Sequence, residues 1–263
     1  MRILFLGDIN GKVGRRVLRN YLNKIILDER IDFTIANVEN AAAGFGITPP
    51  LVEEILAMGI DVLTTGNHIW DKKEIIPYLD QQKRLLRPVN YPPTVRGYGW
   101  FIGETPAGHP VAVVNVMGRV FMPPVDCPFR AMDSLLPELK KHTQTIIVDM
   151  HAEATSEKQA IGVYLDGKVT AVVGTHTHVQ TADERVLPGG TGYITDSGFA
   201  GSLDSVIGII KEQALLRFLT AMPHRFESAP GRGTLQGVVM ETDEGSGKCV
   251  SIRRLRVDEP QDM

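Results

Sequence analysis

Five short apolar runs in this 263-residue chain each lead into residues that can hold a cation or move a proton. Ile3 to Leu6 is followed by Gly7-Asp8-Ile9-Asn10-Gly11, and Phe33 to Val38 by Glu39-Asn40-Ala41. Asp61 to Thr65 is followed by Gly66-Asn67-His68. The run ending at Met150 opens into His151-Ala152-Glu153, and the run ending at Val173 into Gly174-Thr175-His176-Thr177-His178. In an open α/β sheet, ligands bind beyond the carboxyl ends of the strands. Core packing needs none of these groups, and burying them unpaired is costly. Imidazole suits transition metals, whereas carboxylates and carboxamides suit harder ions. One bridging carboxylate lets two cations approach to roughly 3.5–4 Å, acidify a shared water or hydroxide, and neutralise phosphoryl oxygens in the transition state.

These donors need elements to position them. Ile3 to Leu6, Phe33 to Val38, Asp61 to Thr65, Val111 to Met117, Thr145 to Met150 and Thr170 to Val173 are predicted strands. Val17, Leu18, Tyr21, Leu22, Ile25 and Ile26 lie at helical spacing within a predicted helix from Arg15 to Arg30. Further helices are predicted over Pro50 to Met58, Lys72 to Gln81, Phe129 to Lys141 and Ser205 to Leu219. Leu235 to Glu241 and Cys249 to Val257 read as a closing pair of strands, with Gly245 and Gly247 in the turn. The alternation predicts an α/β fold with parallel pairing at the start and an antiparallel or mixed end.

Composition bounds the rest. A hydrophobic content of 43% supports one sizeable core, and no Pro/Gly/Ser-rich linker divides the chain, so a single domain over 1–263 is expected. With 28 basic and 31 acidic residues, the net charge of -3 offers no global attraction for nucleic acid or anionic membranes. No stable nucleic-acid partner is expected, while a small anionic substrate remains compatible. Cys127 and Cys249 do not form a disulfide framework. The first apolar run is short and is broken by Asp8, and no stretch reaches membrane-spanning length. A cytoplasmic protein is the expectation, with a homo-oligomer open.

Taken singly, the motifs are weak. Asp8 alone would read as a helix cap, Glu39 as a solvated charge, and Asn67 as a turn residue. Convergence reverses those readings. His176 and His178 alternate along the chain, so both can reach one site only if it turns after Gly174. Arg119 and Glu153 are each balanced between a site role and an exposed charge, Glu153 as an orienting partner for an imidazole. His109, His142 and His224 read as surface residues. Gly7, Gly11 and Gly14 do not have the dinucleotide-binding spacing, and Gly11-Lys12-Val13 lacks the Ser/Thr of a phosphate loop. These glycines read as tight-turn residues beside Asp8.

Asp8, Gly66-Asn67-His68, His151 and Gly174-Thr-His-Thr-His178 together resemble the calcineurin-like metallophosphoesterase superfamily. Val38-Glu39-Asn40-Ala41, Thr177-His-Val-Gln-Thr-Ala-Asp183 and Tyr193-Ile-Thr-Asp-Ser-Gly198 resemble its YmdB-like bacterial branch, whose members act as 2′,3′-cyclic nucleotide phosphodiesterases. The resemblance covers most of the chain. It implies a four-layer sandwich of two mixed β-sheets flanked by helices. It implies two metal ions, iron or manganese favoured, the first on Asp8, Glu39, Asn40 and His178, the second on Glu39, Asn67, His151 and His176. Glu39 would bridge, and His68 would be the general acid outside the metal shell. Two positions depart from the wider superfamily. Asn10 stands where its first motif has His, and Glu39-Asn40 where it has Gly-Asp. Whether Asn10 touches metal stays open, with Asn40 preferred.

The expected function is a phosphodiesterase acting on nucleotides, with hydroxide activated by metal. Alternatives are a nucleotide-sensing regulatory protein with little turnover, a phosphomonoesterase, and di-iron redox chemistry.

Overall fold

The computed structural model describes residues 1–261; residues 262 and 263, part of the single-domain expectation, lie outside them. The first half of the chain contains β1 (Arg2–Leu6), β2 (Asp8–Ile9), α1 (Gly11–Glu29), β3 (Phe33–Asn37), α2 (Pro49–Ala57), β4 (Val62–Thr64), β5 (Trp100–Glu104), β6 (Pro110–Met117) and α3 (Pro128–Leu139). The second half contains β7 (Ile146–His151), α4 (Thr155–Tyr164), β8 (Ala171–Thr175), β9 (Arg185–Val186), β10 (Gly192–Ile194), β11 (Phe199–Ser202), α5 (Lys211–Thr220), β12 (Gly233–Thr242) and β13 (Cys249–Asp258).

Among the described residues the strands form two mixed sheets. One runs β2-β11-β12-β1-β3-β4, with β13 along the other edge of β12. The other runs β5-β6-β7-β8-β10-β9. Pairing is parallel from β1 through β3 to β4 and antiparallel where β12 meets β1 and β13. That matches the parallel start and antiparallel end predicted from the chain pattern.

The two-residue alternation of strand side chains builds three apolar layers. Ile3 and Phe5 of β1 pack between the sheets with Ile35, Val113, Ile147 and Val173. Leu4 and Leu6 point the other way, against Val17, Leu18 and Leu22 of α1 and Val52 and Ile55 of α2. On the far side, Val114 and Val148 pack against Met132 and Leu136 of α3 and Ile161 of α4. Helices, sheet, sheet, helices: this is the expected four-layer sandwich.

Some predicted elements differ. No α-helix spans Lys72 to Gln81. A short 3-10 turn at Lys73–Ile75 occurs there instead, following another at Asn67–Trp70. Pro77 lacks an N–H and so cannot donate the hydrogen bond to Lys73 that a continuing α-helix would need. The helix predicted from Ser205 starts at Lys211, because Ile207 and Gly208 take left-handed φ of 49° and 95°. β5, β9, β10, β11 and α4 were not predicted. The last four are short or weakly patterned, and α4 buries Glu157 and Lys158 on its inner face. Gly11 does turn the chain beside Asp8, with φ 57°. Gly7 serves close approach instead, since a Cβ there would lie 1.9 Å from the Gly198 carbonyl oxygen.

Phe5 is fully buried in the layer between the sheets. Phe5→Ala should lower the unfolding free energy by about 3–5 kcal/mol, read as a shifted denaturant midpoint with an unchanged slope.

Candidate metal centre

The carboxyl ends of β1, β3, β4, β7 and β8 converge on one cluster. Asp8 follows β1, Glu39 follows β3, Asn67 follows β4, His151 ends β7, and His176 and His178 follow β8. Asp8, Glu39, Asn40, His151 and His178 are buried, and His176 is half-buried.

One group gathers on His151. Its Nε2 lies 3.1 Å from Glu39 Oε1, 3.2 Å from Asn67 Oδ1 and 3.1 Å from His176 Nδ1. Its Nδ1 lies 2.9 Å from the Thr175 hydroxyl, which donates to Asp149 at 2.6 Å. That hydroxyl therefore accepts from His151 Nδ1, and Nε2 is left with its lone pair facing the cluster. His176 Nε2 lies 3.2 Å from Glu153 Oε2, a carboxylate that favours the proton on Nε2 and leaves the Nδ1 lone pair facing the same place. With His151 neutral, four lone-pair atoms thus face one another, a repulsive arrangement that a proton on His151 or a cation among them relieves. Glu39, His151 and His176 lie close enough to share one. Gly66 lets His151 in, since a Cβ there would fall 2.1 Å from the ring.

A second group gathers on Asp8. His178 Nδ1 donates to the Ile207 carbonyl at 2.8 Å, and its Nε2 lies 3.6 Å from Asp8 Oδ1. Asp8 Oδ2 accepts the His176 backbone N–H at 3.1 Å, so Asp8 is not a helix cap. Asn40 donates its Nδ2 to the Gly44 carbonyl at 2.9 Å. Asp8 Oδ1, Glu39 Oε1 and Asn40 Oδ1 are buried with no hydrogen-bond donor. Buried acceptors without donors are rare, and oxygens beside imidazoles are the donor mixture a divalent metal takes. The residues fit a metal centre.

The electrostatics are those of a site built around positive charge. Burial opposes ionisation of Asp8, yet His178 and His151 hold it well below the usual carboxylate range. Burial likewise opposes ionisation of Glu39, and His151 outweighs it. Burial disfavours the His151 cation, and Glu39 raises it again. Burial and the neighbouring His151 drop His176 to about 3. Burial also disfavours the His178 cation, but Asp8 pushes it up to about 9.

The expected turn after Gly174 is present. His176 and His178 have φ of 97° and 60°, angles that L side chains rarely adopt. Asp196 holds this bend. Its Oδ2 accepts the Thr177 N–H at 3.1 Å and the Thr177 hydroxyl at 2.7 Å, and pairs with buried Lys158 at 2.8 Å. Sequence reasoning did not assign Asp149, Thr175, Lys158 or Asp196. A carboxylate inside the apolar run Ile146–Met150 was the available signal for Asp149.

His68 sits at the cavity rim. Its N–H donates to Glu39 Oε2 at 3.0 Å, and its Nδ1 donates to Asp71 at 2.8 Å. Asn10 lines the same cavity, with Gly208 against its carboxamide. Arg119 is exposed and does not line it. His142 is exposed, and His109 and His224 are half-exposed.

Fold and donor set together place the chain among the metallophosphoesterases. The sequence profile of the YmdB-like proteins matches residues 4–255, and the chain belongs to that family. A 2′,3′-cyclic-nucleotide 2′-phosphodiesterase of Bacillus subtilis is 46% identical over 259 residues, 98% of each chain. A putative phosphatase/phosphodiesterase of Mycoplasma pneumoniae is 34% identical, over 99% of this chain and 95% of the other. The crystal structure of a hypothetical protein from Thermus thermophilus superposes with a TM-score of 0.92 at 42% identity, covering 99% of this chain and 100% of that one. The crystal structure of a phosphatase from Mycoplasma pneumoniae superposes equally, with a TM-score of 0.92 at 34% identity, over 98% and 93%. The family resemblance read from the motifs is borne out.

A proton on His178 and a cation at its Nε2 exclude each other. The His178–Asp8 pairing stabilises the metal-free fold fully below about pH 6.5, the unfolded imidazole value. That contribution is lost as pH rises through about 9. Metal affinity, measured by titration calorimetry, should accordingly rise about tenfold per pH unit between these limits and then level off.

Proposed function

We propose that the protein is a dinuclear metal-dependent phosphodiesterase that hydrolyses 2′,3′-cyclic nucleotides to nucleoside 3′-phosphates. The observation that carries this reading is the set of buried, undonated oxygens, Asp8 Oδ1, Glu39 Oε1 and Asn40 Oδ1, gathered with three imidazoles below a rim histidine. The name of the Bacillus relative supports the substrate: breaking the 2′ ester leaves the phosphate on the 3′ oxygen.

Asp8, Glu39, Asn40 and His178 would hold one ion, and Glu39, Asn67, His151 and His176 the other, with iron or manganese preferred. Bound there, the ions supply Lewis-acid charge at the phosphoryl oxygens and acidify water. The chain's own groups do the rest. Thr175 and Glu153 fix the faces that His151 and His176 present. Water adds to phosphorus, the bond to the 2′ oxygen breaks, and that oxygen leaves as a poor alkoxide unless protonated. His68 supplies the proton from Nε2, with Asp71 on Nδ1 orienting the ring. The protein works in the cytoplasm in this reading; among the described residues no helix is long and apolar enough to cross a membrane.

Elemental analysis of protein purified without chelator should find close to two ions per chain. Glu39→Ala should lose both, and His178→Ala mainly the ion on the Asp8 side. One ion or none at full occupancy defeats the dinuclear reading.

His68→Ala should keep its metals and fold. Its turnover of 2′,3′-cyclic nucleotides should fall by roughly 10²–10⁴, the usual share of general acid catalysis. Aryl phosphodiesters leave without a proton, so their loss should be much smaller. Equal losses on both, with metal intact, would remove His68 from the proton-donor role. A wild-type protein active on phosphomonoesters alone would overturn the substrate assignment.

A further inference from the structure

Three apolar side chains at the metal-centre cavity, those of Phe45, Ile207 and Ile209, belong to none of the three cores. Phe45 and Ile207 line the same cavity of about 210 Å³ as Glu39, His176 and His178. Each is held out of the core by backbone that L residues rarely adopt. Phe45 rides a loop in which Ala43, Gly44 and Gly46 have φ of 58°, 94° and 76°. That loop is closed by Ala42 N–H donating to the Gly46 carbonyl at 2.9 Å. Ile207 is β-branched yet has φ 49°, a costly conformation for such a residue. A turn in which Val206 and Ile209 exchange backbone hydrogen bonds at 3.0 and 2.9 Å keeps it there. The residue is 44% exposed.

Both segments are tied to the cluster itself. Asn40 donates to the carbonyl of Gly44, next to Phe45. His178 donates to the carbonyl of Ile207. The residues that converge on the cluster therefore also set where Phe45 and Ile207 stand. A phosphate has no use for apolar walls, and a ribose has little. The flat, weakly polar part of a nucleotide is its base, which aromatic side chains hold by stacking whatever its identity.

We propose that Phe45 and Ile207 form a nucleobase subsite, gripping the base of the substrate while its phosphate lies at the donor cluster. This rests on the nucleotide reading of the site. The subsite recognises area rather than base edges, so purine and pyrimidine substrates are both accepted. Phe45 also lies edge-on to His68, ring centroids 5.0 Å apart. A rival role, packing His68 and nothing more, therefore needs its own readout.

The test uses metal-loaded, full-length protein as wild type, Phe45→Ala, Phe45→Trp and Ile207→Gly; glycine suits the backbone at 207. Substrates are 2′,3′-cyclic AMP and the base-free methyl riboside 2,3-cyclic phosphate. Wild type should prefer the adenosine substrate in kcat/KM. Phe45→Ala should reduce that preference by about 5- to 150-fold, the span of aromatic–base stacking losses on alanine substitution. The change should fall in KM, Phe45→Trp should restore it, and Ile207→Gly should reduce it less. No preference in wild type, or a kcat loss equal on both substrates in Phe45→Ala, would overturn the subsite; the second result would assign Phe45 to His68 support. If wild type hydrolyses neither cyclic phosphate, the functional reading fails, and calorimetry still decides the subsite. Tighter binding of 3′-AMP than of inorganic phosphate, lost in Phe45→Ala, supports it. Equal binding overturns it.

Discussion

Two carboxylates, Asp8 and Glu39, are buried at the ends of neighbouring strands, facing imidazoles and a carboxamide. Charge taken out of water is costly unless opposite charge compensates it. Within the cluster, compensation can come from protons on His151 and His178 or from cations that displace them. The rest of the architecture serves that requirement. Five strand ends from two sheets must meet, so the sheets must face each other. Their shared layer, from Ile3 and Phe5 to Val113 and Val173, sets that spacing.

The imidazoles would have no defined aim without the polar groups behind them. Thr175 and Asp149 fix His151, Glu153 fixes His176, and the Ile207 carbonyl fixes His178. The bend that carries His176 and His178 stores backbone strain, and strain persists only where surroundings over-determine it. Asp196 supplies that constraint through Thr177. The buried ammonium of Lys158 makes the Asp196 carboxylate tolerable in a place without water. A helix with weak amphipathic character, α4, is thereby explained: its buried Lys158 serves the site and not the core.

The cluster also organises what surrounds it. Asn40 and His178 each offer one face to the centre and one hydrogen bond to a loop carbonyl. Loading the centre and shaping the cavity walls are consequently coupled through single residues. His68 is joined to the same frame by its own backbone bond to Glu39.

The donor set, its placement at strand ends and the alternation of Ile3 to Leu6 were all legible in the chain, because residue type and short-range period are local properties. So was the need for a turn after Gly174, which follows from the alternation of strand side chains. The helix expected over Lys72 to Gln81 failed on Pro77, a local signal outweighed by the apolar spacing around it. Tertiary structure alone decided the remainder. Asp149 reaches His151 only through Thr175 on the adjacent strand, and Lys158 meets Asp196 across 38 residues. That Phe45 and Ile207 stand outside every core is likewise visible only in the fold. Such roles depend on which distant segments become neighbours, and that is set by strand order and register between the two sheets, not by the pattern along any one segment.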